Sequence, residues 1–227
     1  MADVLEALSE TYGAWWIDFL GEHNHVGGED ATRWLLERSR LGAGDWMLDC
    51  GAFVGASARL AAAETGARAV ACDVSRDFLV AGKSLDGGAA VSFVEATTQR
   101  LPFHDGTFAS VWSLDTAVIP REMVRVAAAR ATICLCCEVP EDSRGGLDAF
   151  VDEWAEYGFH LAAHRPMTNE ATITWRRAEA ELVRKRPIYE ERYTPRGYNA
   201  QLDLIAEMLR SYERGEQGHG LFVFARG

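Results

Sequence analysis

Asp49 stands near the end of one short apolar run, WMLDC, and Asp73 directly follows another, ARAVAC. Between them lies Gly51-Ala52-Phe53-Val54-Gly55, in which Gly51 permits a tight turn and Gly55 opens a helix-like segment. A turn of that kind lets backbone N–H groups approach a ligand at a helix N-terminus. An acid about 20 residues further on, closing the next run, is placed to accept hydrogen bonds from ribose hydroxyls. These residue types therefore point to a ligand that carries a nucleoside. A dinucleotide loop G-x-G-x-x-G would need glycine at 53 and 56, where Phe53 and Ala56 stand, so NAD is disfavoured.

The elements that must hold these residues can be read from periodicity. Strand-sized apolar runs fall at 46–50, 68–72, 91–95, 108–114 and 131–137, and most are separated by segments of helical or loop length. One such segment puts Ala31, Trp34 and Leu35 on a common face, and Gly42, Gly44 and Asp45 end it. Leu147, Phe150, Val151, Trp154 and Ala155 form the apolar stripe of another helix, and 159–163 has the pattern of a sixth strand. Runs that are apolar on both faces and alternate with helices imply a mostly parallel sheet covered on both sides. The fold expected is α/β, a Rossmann-like doubly wound sheet of seven strands with an antiparallel last strand. Residues 168–217 are charged and helical in character, with Leu202, Ile205, Ala206 and Leu209 on one face. They read as a helical cap inserted before a last edge strand, GLFVFA, at 220–225. In such a sheet a ligand sits at the carboxyl ends of the strands, which draws attention to Asp49, Asp73 and the stretch from Glu95 to Thr98.

These residues resemble the class I S-adenosylmethionine-dependent methyltransferases of the small-molecule branch. Asp49, Gly51, Gly55 and Asp73 match that family's D-x-G-x-G-x-G loop and second-strand acid. Leu101-Pro102-Phe103-His104-Asp105-Gly106-Thr107-Phe108 is similar to its LPF-x-D-G-x-F segment. Val111 to Asp115 and the terminal G-x-G-L-F-V-x-A are similar as well, so the likeness covers most of 29–164 and the last ten residues. It implies a methyltransferase core at 29–227, an N-terminal lid at 1–28 folding over the cofactor, and S-adenosylmethionine held by Asp49, Gly51, Ala52, Phe53, Gly55, Asp73, Val74, Thr97, Thr98 and Leu114. Three positions depart from the family pattern. Phe53 replaces the middle glycine, Thr97 an acid that contacts adenine, and Ala109 an aspartate. A non-glycine at Phe53 costs about 1–3 kcal/mol if the loop needs positive φ there. Thr97 can still hydrogen-bond, without an acid's charge assistance.

Methyl transfer asks mainly for alignment, exclusion of water and, where needed, removal of a proton. His25 and Asp115 are the candidates for a base or substrate-orienting pair, a titratable ring and a carboxylate at a strand end. Tyr12-Gly13-Ala14-Trp15-Trp16 would supply aromatic walls to a substrate pocket. The expected reaction is transfer of a methyl group from S-adenosylmethionine to a small-molecule acceptor. Two other readings stay open: a methyltransferase-fold binding or regulatory protein that has lost catalysis, and a relative using a modified adenosyl cofactor.

Composition excludes several other functions. With 48% hydrophobic and 25% charged residues the chain has the makeup of a folded globule. A net charge of −11 without a cationic run argues against nucleic acid as a partner. Apolar stretches fall far short of the ~20 residues of a membrane span. The first twenty residues carry no Lys or Arg, so a secretory leader is not expected and a cytoplasmic location is. Cys50, Cys72, Cys134, Cys136 and Cys137 lie in strand-like runs and read as free, buried thiols. Cys134 and Cys136 share a strand face that Cys137 leaves, and His23 and His25 lack ligand spacing, so no metal is expected. The arginines from Arg176 to Arg186 are interleaved with Glu179 and Glu181, a solvated face that could attract an anionic substrate. A homodimer is the assembly to test.

Overall fold

The computed structural model describes residues 17, 19–88, 90–140 and 146–226. The elements are α1 (Gly28–Leu36), β1 (Trp46–Cys50), α2 (Ala56–Thr65), β2 (Arg68–Asp73), α3 (Arg76–Leu85), β3 (Val91–Glu95) and β4 (Phe108–Leu114), followed by α4 (Pro120–Val126), β5 (Ala127–Pro140), α5 (Gly146–Glu156), β6 (Phe159–Pro166), α6 (Thr168–Arg184), α7 (Arg186–Glu213) and β7 (Gln217–Arg226). The seven strands form one sheet in the order β3-β2-β1-β4-β5-β7-β6. Strands β1 to β5 pair in parallel, and β7 runs antiparallel to both β5 and β6. The doubly wound, seven-stranded sheet with an antiparallel last strand agrees with the sequence reading.

Alternation along each strand divides the core. Leu48, Cys50, Val70, Cys72 and Val111 pack on one face with Trp154, Phe159, Phe222 and Phe224. Met47, Ala69, Ala71, Trp112, Cys134 and Cys136 pack on the other, with α1, Trp175, Tyr198 and Tyr212. Cys137 falls on the opposite face from Cys134 and Cys136, as a period of two requires. All five thiols are free and buried.

The expectation of β7 as an edge strand is corrected. Strand β7 lies between β5 and β6, and β6 is the edge. The reason is its composition: Leu221, Phe222, Val223 and Phe224 are all buried, with apolar groups pointing to both faces, which only an interior strand can satisfy. By contrast β6 alternates and carries His160, His164 and Arg165, the mark of an edge. Helices α6 and α7 precede β7 and cover the face that carries Cys134 and Cys136. Helix α7 is kinked where Thr194 adopts φ 64° and ψ 154° just before Pro195. Residues 1–16, which include Tyr12 to Trp16, lie outside the described residues. Among the described residues no helix is long and apolar enough to cross a membrane.

Candidate active site

Strand order reverses between β1 and β4, so the loops after these two strands face a crevice at the carboxyl edge. After β1 the chain turns at Gly51 (φ 67°), where an added Cβ would lie 2.4 Å from Thr116 Oγ1, too close for any other residue. The Ala52 N–H donates to Cys72 O at 2.9 Å and the Phe53 N–H to Asp73 Oδ2 at 2.9 Å. Asp73 Oδ1 accepts from the Ser75 N–H at 2.8 Å. One carboxylate thus ties the first loop to the start of α3. Gly55 serves as the N-cap of α2.

Phe53 adopts the left-handed conformation, φ 52°, expected to strain a non-glycine. Its ring packs edge-on against Phe78 with centroids 4.7 Å apart, in a cluster with Ile17, Val54 and Ala81, and the residue is 6% exposed. Burial outweighs strain here. Losing a buried phenyl ring costs about 3–5 kcal/mol, whereas the left-handed backbone costs about 1–2 kcal/mol. Phe53→Gly is therefore expected to lower stability by about 2 kcal/mol despite the ideal backbone for glycine, read as a lower denaturation midpoint.

Phe53 does not fill the crevice. A cavity of about 380 Å³ lies in front of it, lined by Gly51, Phe53, Asp73, Val74, Thr97, Thr98 and Leu114, a size suited to a nucleoside-bearing ligand. A narrower hollow of about 20 Å³, little more than one water, continues under residues 22–25 and is lined by Asp49, Gly51, Ala52, Phe53, Ser57 and Leu114. Of the residues expected to hold the cofactor, Gly55 alone lines neither space.

Asp49 is buried, and that burial, with Asp73 nearby, pushes its carboxyl up to about 7. Burial also raises Asp73, opposed by the N–H groups of Ser75, Phe53 and Val74. A folded-state value above the unfolded one means that the native protein binds more protons between about pH 4 and pH 7. Stability contributed by Asp49 is thus lost as pH rises through that window. Asp49→Asn is expected to flatten this fall, by an amount on the order of 3 kcal/mol, in denaturation midpoints compared at pH 4.5 and 7.5; parallel pH curves would refute it.

A second cavity, about 430 Å³, is lined by Leu20, Asn24, Asp115, Thr116, Val118, Glu138, Trp175, Met208 and His219. Asn24, Asp115 and Thr116 line both large cavities. Asp115 sits just beyond β4 at φ 49°, with its N–H donating to Cys136 O at 2.7 Å. Its Oδ2 accepts from the Val26 N–H at 2.7 Å, and its Oδ1 from His219 Nε2 at 2.8 Å. Burial works to raise the Asp115 carboxyl, yet the His219 ring and the Val26 amide outweigh it and hold it below its usual value. Burial likewise works against a charged His219, and Asp115 overrides it, raising the ring. The two are hydrogen-bonded, and they form an ion pair when the ring is protonated. Cys136 Sγ lies 3.7 Å from Asp115 Oδ2, its thiol pushed far up by burial and by that carboxylate.

The partner of Asp115 is therefore His219 rather than His25. The His25 ring is buried, with Nδ1 donating to Val26 O at 3.1 Å and Nε2 2.9 Å from Thr32 Oγ1. Burial pushes it down to about 4, so it is neutral at pH 7. Sequence reasoning passed over His219, Glu138, Trp175 and Met208. The pairing that brings Glu138 opposite His219 belongs to the β5–β7 register, which local periodicity does not encode. Residues 22–26 are fastened at both ends, by Glu22 to Arg59 at 2.6 Å and by Val26 to Asp115. Arg176, Arg184 and Arg186 pair with Glu213, Glu181 and Glu190 on the surface.

Residues 47–135 match the family model described as a methyltransferase domain. S-adenosylmethionine is the methyl donor of these methyltransferases. The methyltransferase GfsG of Streptomyces halstedii is 34% identical over 132 residues, covering 51% of this chain and 45% of that protein, so the chain spans less than half of that relative's length. Among solved structures, a putative sarcosine dimethylglycine methyltransferase from Galdieria sulphuraria superposes with a TM-score of 0.84 at 15% identity, covering 100% of this chain and 98% of that one. The phosphoethanolamine N-methyltransferase 2 of Haemonchus contortus, solved with phosphomonomethylethanolamine and S-adenosylhomocysteine, gives 0.75 at 16% identity and covers 99% and 60%. At these identities the two structures speak for the methyltransferase fold. The donor set also suits the cofactor. Asp73 keeps lone pairs free beyond its two amide bonds, and Asn24 Oδ1, in the walls of all three spaces, is buried with no partner among the described residues.

Proposed function

We propose that this chain transfers a methyl group from S-adenosylmethionine to a small-molecule acceptor. The observation that carries the reading is the meeting of two cavities, about 380 and 430 Å³, at Asp115, Thr116 and Asn24. One is lined by Asp73, Val74, Thr97, Thr98 and Leu114, which would hold the adenosyl part, and the other is a largely apolar chamber under α6 and α7. When bound, the cofactor supplies a methyl group on a positively charged sulfur. Asp73 and the Thr97 and Thr98 hydroxyls offer hydrogen bonds, and Asp49 offers a carboxylate toward the narrow end. Trp175, Met208, Leu20 and Val118 exclude water from the acceptor chamber. Asp115, fixed by His219 and Val26, orients the acceptor and favours positive charge developing there.

Small-molecule acceptors are also what the named solved relatives act on. Phe53 does not favour the reading as a binding protein without catalysis, because its ring lies against Phe78 and leaves the crevice open. Calorimetric titration tests the proposal: S-adenosylmethionine and S-adenosylhomocysteine are expected to bind with a 1:1 stoichiometry, and acceptor-dependent release of S-adenosylhomocysteine should follow. Absence of heat at millimolar ligand would overturn it. Binding without turnover across acceptors would favour the regulatory reading instead.

A further inference from the structure

The larger cavity is unusual in the sign of its polar wall. Asp115 and Glu138 present carboxylate oxygens, and no lysine or arginine lines it among the described residues. Asn24 Oδ1 and His219 Nδ1 are both buried without a hydrogen-bond partner among the described residues. His219 Nε2 already donates to Asp115, so Nδ1 is an acceptor only while the ring is neutral, and the acceptors present in either state are Asn24 Oδ1 and the two carboxylates. Glu138 is held in place by the Tyr212 hydroxyl, which donates to Oε1 at 2.7 Å and lies 3.4 Å from Trp175 Nε1. Buried polar atoms are rarely left unpaired, so a wall made of acceptors calls for a ligand made of donors. The ionisable side chains of this wall also carry a net negative charge, even with His219 protonated.

From the cavity wall, and resting on the methyltransferase reading, we infer that the acceptor is an amine that enters as an ammonium, with its nitrogen between Asp115 and Glu138. An ammonium brings three donors and no acceptor, and its charge offsets the carboxylates. An alcohol brings one donor and no charge, so it leaves the negative charge of the two carboxylates uncompensated. A carboxylate or phosphate would meet repulsion of like charges. The carbon skeleton rests against Leu20, Val118, Trp175 and Met208. For reaction the ammonium gives one proton to Glu138, which passes it to solvent. The freed lone pair forms the N–C bond as the bond from methyl carbon to sulfur breaks, its electron pair returning to sulfur. The methylated nitrogen regains the positive charge that sulfur gives up, so charge moves toward the two carboxylates.

The test uses the full chain with saturating S-adenosylhomocysteine and two probes of one shape, 2-phenylethylammonium and 2-phenylethanol, with binding read by calorimetry at pH 7. The amine is expected to bind at least about tenfold tighter than the alcohol. Glu138→Gln should bring that ratio below about threefold while S-adenosylhomocysteine affinity stays within about twofold of wild type. Tyr212→Phe, which keeps the carboxylate and removes its hydroxyl support, should give an intermediate ratio. Equal binding of the probes, an unchanged ratio in Glu138→Gln, or no binding of either probe at about 10 mM would overturn the inference. Failure of S-adenosylhomocysteine itself to bind wild type would bring down the methyltransferase reading instead, and the probe ratio measured without it would still judge the amine preference.

Discussion

Asp73→Ala is expected to weaken S-adenosylmethionine binding by about 100-fold or more and to lower the melting temperature as well. Both carboxylate oxygens of Asp73 accept backbone N–H groups, from Phe53 in the first loop and Ser75 at the start of α3. Alanine removes the group proposed to hold the ribose and leaves two donors unpaired, each costing about 1–3 kcal/mol. The loop at Phe53, held in a left-handed conformation partly by that bond, loses its anchor. Asp73→Asn separates the two effects. The amide keeps one oxygen to accept from the loop and leaves one donor unpaired, so the protein should melt between Asp73→Ala and wild type while binding still falls. Titration and thermal melting of the two variants check this, and wild-type affinity in Asp73→Ala would contradict the assignment.

The second large effect is expected at Asp115. Asp115→Asn should lower kcat/KM by about 100-fold, with most of the loss in kcat. The substitution keeps size and can still accept from Val26, so the chain around residues 22–26 should stay in place. What it removes is the charge shared with His219 and shown to both cavities. A hydrogen bond to a charged group contributes about 1.5–3 kcal/mol, enough for a loss of this order. Without its carboxylate partner the His219 ring should titrate at lower pH, since Asp115 is what raises it against burial. The pH dependence of His219 ring resonances distinguishes this from mere loosening of structure. An unchanged titration and an unchanged kcat would remove Asp115 from the mechanism.

Much of the crevice is legible in the linear sequence because its parts are local. The turn after β1 needs Gly51, and its aspartates close neighbouring strands, so order and spacing suffice to bring Asp49, Gly51 and Asp73 together. The same holds for Val74, Thr97 and Thr98, which follow parallel strands paired in register. The acceptor chamber is a different case. Its wall joins Leu20 and Asn24 to residues in or just beyond β4, β5, α6, α7 and β7, with Asp115 and His219 alone 104 positions apart, united only by the sheet and the packing of helices. Nothing local in the sequence marks His219 as the partner of Asp115. His25 looked equivalent on residue type, and burial with hydrogen bonds to Val26 and Thr32 sets the two rings apart. The position of β7 was misjudged because a terminal apolar run fits an edge or an interior strand until its neighbours are known.

The strap formed by Glu22 to Val26 has a kinetic meaning. It is fastened to Arg59 at one end and Asp115 at the other, and beneath it lies a hollow of only about 20 Å³. On the proposed reading, loading and discharge of a cofactor that reaches this hollow would each require these five residues to unfasten and refasten. Steady-state turnover would then report the opening of this clasp, and a rapid first turnover followed by a slower regime is its expected signature.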